Sequence, residues 1–253
     1  MKIAFFHSMS NSNYTIMILR RWLFAVLIVI PGLLFAQNRV EGKKAKLSIA
    51  HTTDFQITGD TTHEAWKSAT WNTLPQRWKS PVNYLTKTKL LYSDKGIYTL
   101  FWCEDKKITA TLKEDMADIY KEDVVEIFFW TDEQFPLYFE YELSPLNYEL
   151  AILVPNMRGT FFGWAPWHYE GERKTRHATK IIKEGEQTVG WIAEFFIPYS
   201  LLTPLTNVPP IKGTKWRMNM YRIDYDQEDA GWSWQPVRVN FHDIEKFGTL
   251  LFE

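Results

Sequence analysis

Residues 137–143 read LYFEYEL, in which Leu137, Phe139, Tyr141 and Leu143 alternate with Tyr138, Glu140 and Glu142. Side chains on a strand point alternately to the two faces of a sheet, so this spacing predicts a strand with one core face and one polar face. The same reading extends outward. Short β-rich runs separated by turn residues predict strands over 86–92, 96–103, 124–130, 149–154, 179–183, 189–197, 216–225 and 248–252. Asp94, Lys95 and Gly96 make a tight hairpin turn between the first two of these. Helix signals are scarce: Thr61 and Glu64 have capping-box spacing, which predicts one short N-terminal helix presenting Ala65, Trp66 and Ala69 to the body of the domain.

Bulk properties bound the function. Arg20 and Arg21 precede an uncharged apolar run of 14 residues, 22–35, shorter than the about 20 that a spanning helix needs. A small residue, Ala36, follows, so residues 1–36 read as a secretory signal peptide, with Met17 an alternative start directly ahead of the basic pair. The expected product is an exported protein, periplasmic or extracellular, without a membrane segment after cleavage. Without Lys2, Arg20 and Arg21 the remainder carries 26 basic and 30 acidic residues, a balance that argues against nucleic acid as a partner. Residues 37–253 fit one all-β domain. Cys103 is the single cysteine of the chain, so a packed core and not disulfides must hold the fold. Its alternation with Ile97 and Phe101 makes it an inward, inert thiol.

Six segments in order, ITGDTTHEAWKSATW (57–71), KLLYSDKGIYTLFWCED (89–105), YKEDVVEIFFW (120–130), GWIAEFFIPYSLL (190–202), KWRMNMYRID (215–224) and NFHDIEKFGTLLF (240–252), resemble a family 9 carbohydrate-binding module. The resemblance implies an antiparallel β-sandwich that binds sugar chains, standing here without a catalytic domain. It implies a site in which two Trp rings sandwich a sugar, at positions that match Tyr120 and Phe241. A polar position where the family uses Arg falls on Glu140. The Trp pair is therefore lost, although both positions keep an aromatic. Structural calcium occurs in some members. Glu114, Asp115, Asp118, Glu122 and Asp123 form an oxygen-rich segment here, with a solvated acidic loop as the bland alternative.

Other residues are weighed against core packing. FFGWAPWHY (161–169) crowds Phe161, Phe162, Trp164, Trp167, His168 and Tyr169 around Gly163 and Pro166. The CH-rich face of a pyranose suits a flat ring, so Trp164 and Trp167 are expected at the mouth of the sandwich near Tyr120 and Phe241, with Phe161 and Phe162 in the core. Trp234 is a second choice for the platform, with packing against Trp216 as the alternative. Glu194 and Arg222 interrupt apolar strands and are expected to pair inside the sandwich. Arg222 reaching the sugar, beside Asn219 or His242, is the other option, and His242 either donates to a hydroxyl or fixes the final turn.

Glu140 and Glu142 have a separation that glycosidases use, but strand alternation produces such pairs routinely. No HExxH, GxSxG or nucleophile arrangement is present, so the chain is read as a non-enzyme. The expected partner is a plant or microbial polysaccharide or oligosaccharide, with glycoside hydrolases in association and no required cofactor. Two alternatives stay open. One is a structural or protein-interaction sandwich without a sugar site. The other is a haem-binding redox sandwich, for which Met218 and Met220 share a strand face but read as core first.

Overall fold

Alternation of the kind seen in residues 137–143 recurs along the chain and builds fourteen strands in the computed structural model, which describes residues 44–237 and 240–253. The signal-peptide expectation for residues 1–36 lies outside them. In chain order the strands are β1 (Lys46–His51), β2 (Asn72–Thr73), β3 (Thr86–Tyr92), β4 (Gly96–Glu104), β5 (Val124–Trp130), β6 (Leu137–Leu143) and β7 (Glu149–Met157). They continue with β8 (Thr160–Phe161), β9 (Ala165–Pro166), β10 (Arg176–Glu184), β11 (Gln187–Pro198), β12 (Lys215–Asp224), β13 (Ala230–Ser233) and β14 (Gly248–Phe252). The only helical elements among the described residues are short 3-10 turns, and no helix there is long and apolar enough to cross a membrane.

The strands form an antiparallel β-sandwich. One layer runs β14, β12, β5, β6, β7, with β13 on β12 and β9 on β7; the other runs β10, β11, β4, β3, with β2 on β3. β1 ties the two together. Its first four residues pair in parallel with β14 and its last two residues pair in parallel with β3.

Between the layers Val125, Ile127, Phe129, Phe139, Tyr141, Met218 and Met220 pack against Leu90, Phe101, Cys103, Trp191 and Phe195. Met218 and Met220 are thus core residues. Burial pushes the Cys103 thiol up to about 12, which leaves it an inert thiol. At the β3–β4 turn Gly96 is needed for close approach: a Cβ there would lie 2.6 Å from the Phe196 ring.

Three expectations are corrected. The second face of β6 is not solvated, because loops cover the outer side of this layer and leave Tyr138, Glu140 and Glu142 buried. The short helix is a 3-10 turn, Glu64–Ser68, capped by His63, whose Nδ1 accepts from the Ala65 N–H at 3.2 Å, and not by Thr61. Glu64 is drawn away by Lys67 at 2.7 Å.

Finally, Glu194 and Arg222 do not meet, because they lie on different faces of different layers. Arg222 follows Met218 and Met220 on the inner face of β12. Its guanidinium pairs with Asp224 at 2.6 Å and Asp105 at 3.2 Å and donates to Thr86 Oγ1 at 3.1 Å. Glu194 faces outward from β11. It accepts the N–H groups of Thr58 and Gly59, each at 2.7 Å, and Trp66 Nε1 at 2.8 Å, which clamps the N-terminal segment to the second layer.

Glu194→Gln puts an amide N–H against donors that need an acceptor. We expect a stability loss of about 2–3 kcal/mol, read from a denaturant melt. A loss below about 0.5 kcal/mol would show that the clamp is not needed.

Candidate functional site

The outer face of the first layer carries a cleft of about 440 Å³, within the size range of small-ligand sites. Strands make its floor: Glu126 and Phe128 from β5, Glu140 and Glu142 from β6, Leu150 and Ile152 from β7, and Ile223 from β12. Loops make its walls. Tyr120 stands on the 3-10 turn Ile119–Lys121, while Phe241 and His242 come from the segment before β14.

The wall formed by Phe161 and Trp164 has a clear local origin. Met157 pairs with Thr160, so Arg158 and Gly159, both with positive φ (54° and 82°), make the tight turn from β7 to β8. Gly163 then turns the chain again at φ 86°, a conformation that favours glycine, and β9 docks back on β7 through Ala165 and Pro166. Trp164 is held between these fixed points with 42% of its surface exposed.

The opposite wall is Trp78, which sequence reasoning missed. Its ring stacks on Phe241 with centroids 5.4 Å apart, and Phe241 stacks on Tyr221 at 4.0 Å. Trp78 also lies flat on Gly231, where a Cβ would be 2.5 Å from the ring. No periodic signal surrounds Trp78, so only the Pro75 and Pro81 that bracket its loop hinted at an ordered segment.

Of the eight residues expected at the site, the structure brings five together: Tyr120, Phe241, Trp164, Glu140 and His242. They meet on a sheet face and not at the sandwich mouth. The other three are elsewhere. Trp167 packs into the interlayer core, donates from Nε1 to Leu201 O at 2.7 Å and meets Tyr169 edge-on. Arg222 is enclosed by Asp105, Asp224 and the Trp232 ring, 4.8 Å from its guanidinium. Trp234 lies over Gly248, where any Cβ would collide with it, and packs on the same core as Trp216.

Phe161 and Phe162 reverse their expectation too, with exposures of 39% and 62%. The physical reason is the double turn at Gly159 and Gly163, which keeps this segment outside the β7 edge. Glu126, Glu142 and Asn240 complete the polar lining. Glu126 carried a readable signal, a lone charge within the apolar run VVEIFF.

The electrostatics are dominated by burial. Burial pushes Glu140 up to about 8 and raises Glu126 and Glu142 well above the usual carboxylate range, reinforced by their mutual proximity. Burial lowers His242 to about 4, so its imidazole is neutral. His242 Nδ1 contacts the Tyr138 hydroxyl and lies 3.6 Å from Glu140 Oε2, while Phe161 stacks on the imidazole at 4.4 Å. The resulting arrangement offers flat apolar faces above and exchangeable hydrogen-bonding groups below.

The acidic segment 114–123 does not converge on one point. Asp118 pairs with Lys121 at 2.6 Å, and Glu122 accepts from Thr111 and Leu112 N–H groups. Asp123 accepts the Thr109 and Tyr225 N–H groups, and Asp115 accepts the Glu149 N–H at 3.0 Å. Among the described residues two groups of metal-binding residue types do gather, Asp105 with Asp123 and Asp224, and Asp115 with Glu149 and His168. Neither fits calcium. Arg222 already supplies the cation in the first, and the second mixes an imidazole into what would be an all-oxygen set.

Comparison with known proteins agrees with this architecture. Residues 57–253 match the sequence profile described as carbohydrate family 9 binding domain-like. An "Extracellular protein" of Arthroderma benhamiae is 27% identical over 184 residues, covering 66% of this chain and 78% of that one. A candidate carbohydrate-binding protein from Bacteroides uniformis superposes with a TM-score of 0.69 at 18% identity, over 83% of this chain and all of the other. A family 9 carbohydrate-binding module from Caldicellulosiruptor kristjanssonii, solved with cellotriose, gives a TM-score of 0.61 at 17% identity, over 83% of this chain and 94% of that one. The same organism's module with glucose gives 0.60.

Proposed function

Because the chain belongs to the carbohydrate family 9 binding domain-like family, we propose that the cleft between Trp78, Tyr120, Phe161, Trp164 and Phe241 binds a sugar non-covalently. The carrying observation is convergence: aromatic residues from four separate segments meet over one polar floor. Stacking buries the CH face of a pyranose at little conformational loss. Glu126, Glu140, Glu142, Asn240 and His242 then meet the hydroxyls at its edge. In the exposed part of the wall, Trp164 is the residue that most resembles a ligand platform, since its ring has no core to complete.

We read residues 1–36 as an export signal and residues 37–253 as the mature single domain. In this reading the protein acts outside the cytoplasm on plant or microbial polysaccharide or its oligosaccharides, in company with glycoside hydrolases and without cleaving bonds itself. The extracellular relative and the modules solved with cellotriose and glucose support this direction.

Calorimetric titration with a panel of oligosaccharides tests it. Trp164→Ala is expected to weaken binding roughly 30-fold, about 2 kcal/mol, while leaving the thermal midpoint within about 2 °C. Unchanged affinity in this variant would place the sugar elsewhere.

A further inference from the structure

The cleft pairs aromatic walls with a floor that holds acids and, among the described residues, no Lys or Arg. Glu126, Glu140 and Glu142 are 2%, 4% and 1% exposed. Glu126 stands opposite Glu142 in the β5–β6 register, and Glu140 shares the Glu142 face one pleat away. Glu140 Oε2 and Glu142 Oε2 are buried and receive no N–H donor, although both residues line the cleft; the groups within hydrogen-bond reach of these two carboxyls are each other and the Tyr138 hydroxyl.

Buried acids elsewhere in this protein are provided for. Glu194 has three N–H donors, Asp123 has two backbone N–H groups, and Asp105 and Asp224 have Arg222. Buried carboxyls that meet only each other and a phenol, with no N–H donor or cation, are an unfavourable exception that calls for an explanation in the ligand.

A small metal ion does not supply it. The three glutamates are not among the groups whose ligand atoms lie within 4.8 Å of one another. The ligand must instead bring several N–H donors on a wider frame, and the Trp78 and Trp164 rings that line the same cleft suit a cation there, while the Tyr120 ring already carries the Lys121 ammonium at 5.6 Å. The other titratable groups facing the floor put no positive charge against one: His242 is neutral, and the Tyr120 and Tyr138 hydroxyls are held protonated by burial.

Resting on the reading of the cleft as a sugar site, we infer that the bound ring carries a free protonated amine, seated against Glu140 and Glu142 with Glu126 beside them. The ligand class is an amino sugar with its nitrogen unacetylated. The acids are held protonated while the cleft is empty and ionise as the ammonium enters, so binding releases protons to solvent.

The test is titration of the purified protein near pH 6, where an amine is charged, with three trisaccharides: β-1,4-linked glucosamine, its fully N-acetylated form, and cellotriose. We expect the free amine to bind at least about tenfold more tightly than either neutral sugar. We expect Glu140→Gln and Glu142→Gln to reduce that ratio to roughly threefold or less, whatever they do to the affinity for the neutral sugars. Heat of binding measured in two buffers of different ionisation enthalpy reads the proton release in the unmodified protein, so the test does not depend on the variants folding. Equal or tighter binding of the neutral sugars would overturn the amine and leave the sugar site standing. Binding of none of the three would overturn both.

Discussion

Arg222→Met is expected to lose about 3–5 kcal/mol of folding stability, the largest effect of any single change proposed here. The guanidinium is fully buried and, among the described residues, is the only cation paired with Asp105 and Asp224; Asp123 lies within the same cluster. Met fills comparable volume but leaves these carboxyls without compensation, and an uncompensated buried charge is what makes breaking such a pair expensive. The hydrogen bond to Thr86 Oγ1 and the contact over Trp232 go with it. Denaturant melts at two pH values are the measurement. The deficit should grow as pH rises past about 8, where Asp105, pushed up to about 8 by burial, gives up its proton and needs the guanidinium. A loss below about 1 kcal/mol would mean that the cluster is neutral without Arg222.

Stability should fall as pH rises from about 5 to 8, by several kcal/mol in total. Glu140 is pushed up to about 8 and Asp123 to about 7 by burial, and Glu126 and Glu142 are raised further. The native state therefore keeps protons on these acids that the unfolded chain gives up from about pH 4 upward. When the native state binds more protons than the unfolded state, the slope of stability against pH is negative. His242 acts in the opposite direction. With its value lowered to about 4, its contribution is present above about 6.5 and lost as pH falls toward 4. One imidazole against four carboxyls leaves the balance with the acids. The thermal midpoint at pH 5 should exceed that at pH 8 by roughly 10 °C for a domain of this size. A flat or rising profile would show that water or a bound cation compensates the floor.

These two effects share an origin that sequence alone only half reveals. A lone charge inside an apolar strand is visible at Glu126, Glu194 and Arg222, and it says that a buried partner exists. It does not say which. Arg222 finds Asp105, 117 residues away in sequence, because β12 and the end of β4 face each other across the sandwich. Glu194 finds Trp66 because the 3-10 turn lies over the outer face of β11. Glu126, Glu140 and Glu142 find no protein cation at all among the described residues, which is a property of the covering loops and not of the strands.

Strand positions were legible because period two is a local consequence of the pleat. The segments 86–92, 124–130, 137–143 and 248–252 match the observed strands end to end. β1 was not, since KLSIAH alternates weakly and is held by parallel pairing with β14 and β3, both distant in sequence. Six ordered motifs were enough to indicate the family, and their aromatic positions placed Tyr120 and Phe241 in the cleft.

The sequence by itself thus determined the class of fold, the positions of its clearest strands and the presence of aromatic residues in turn segments. Only the tertiary structure decided which of those aromatics meets solvent. Trp164 and Trp167 are three residues apart in one segment, yet one lines the cleft and the other fills the core. The left-handed turn at Gly163 and the docking of β9 on β7 set the first, and the Leu201 carbonyl captures the second. Trp78 reaches Phe241 because Gly231 gives its ring a flat seat from a strand some 150 residues further along the chain. Such contacts arise where the covering loops meet over the sheet, and no periodicity within any one segment encodes them.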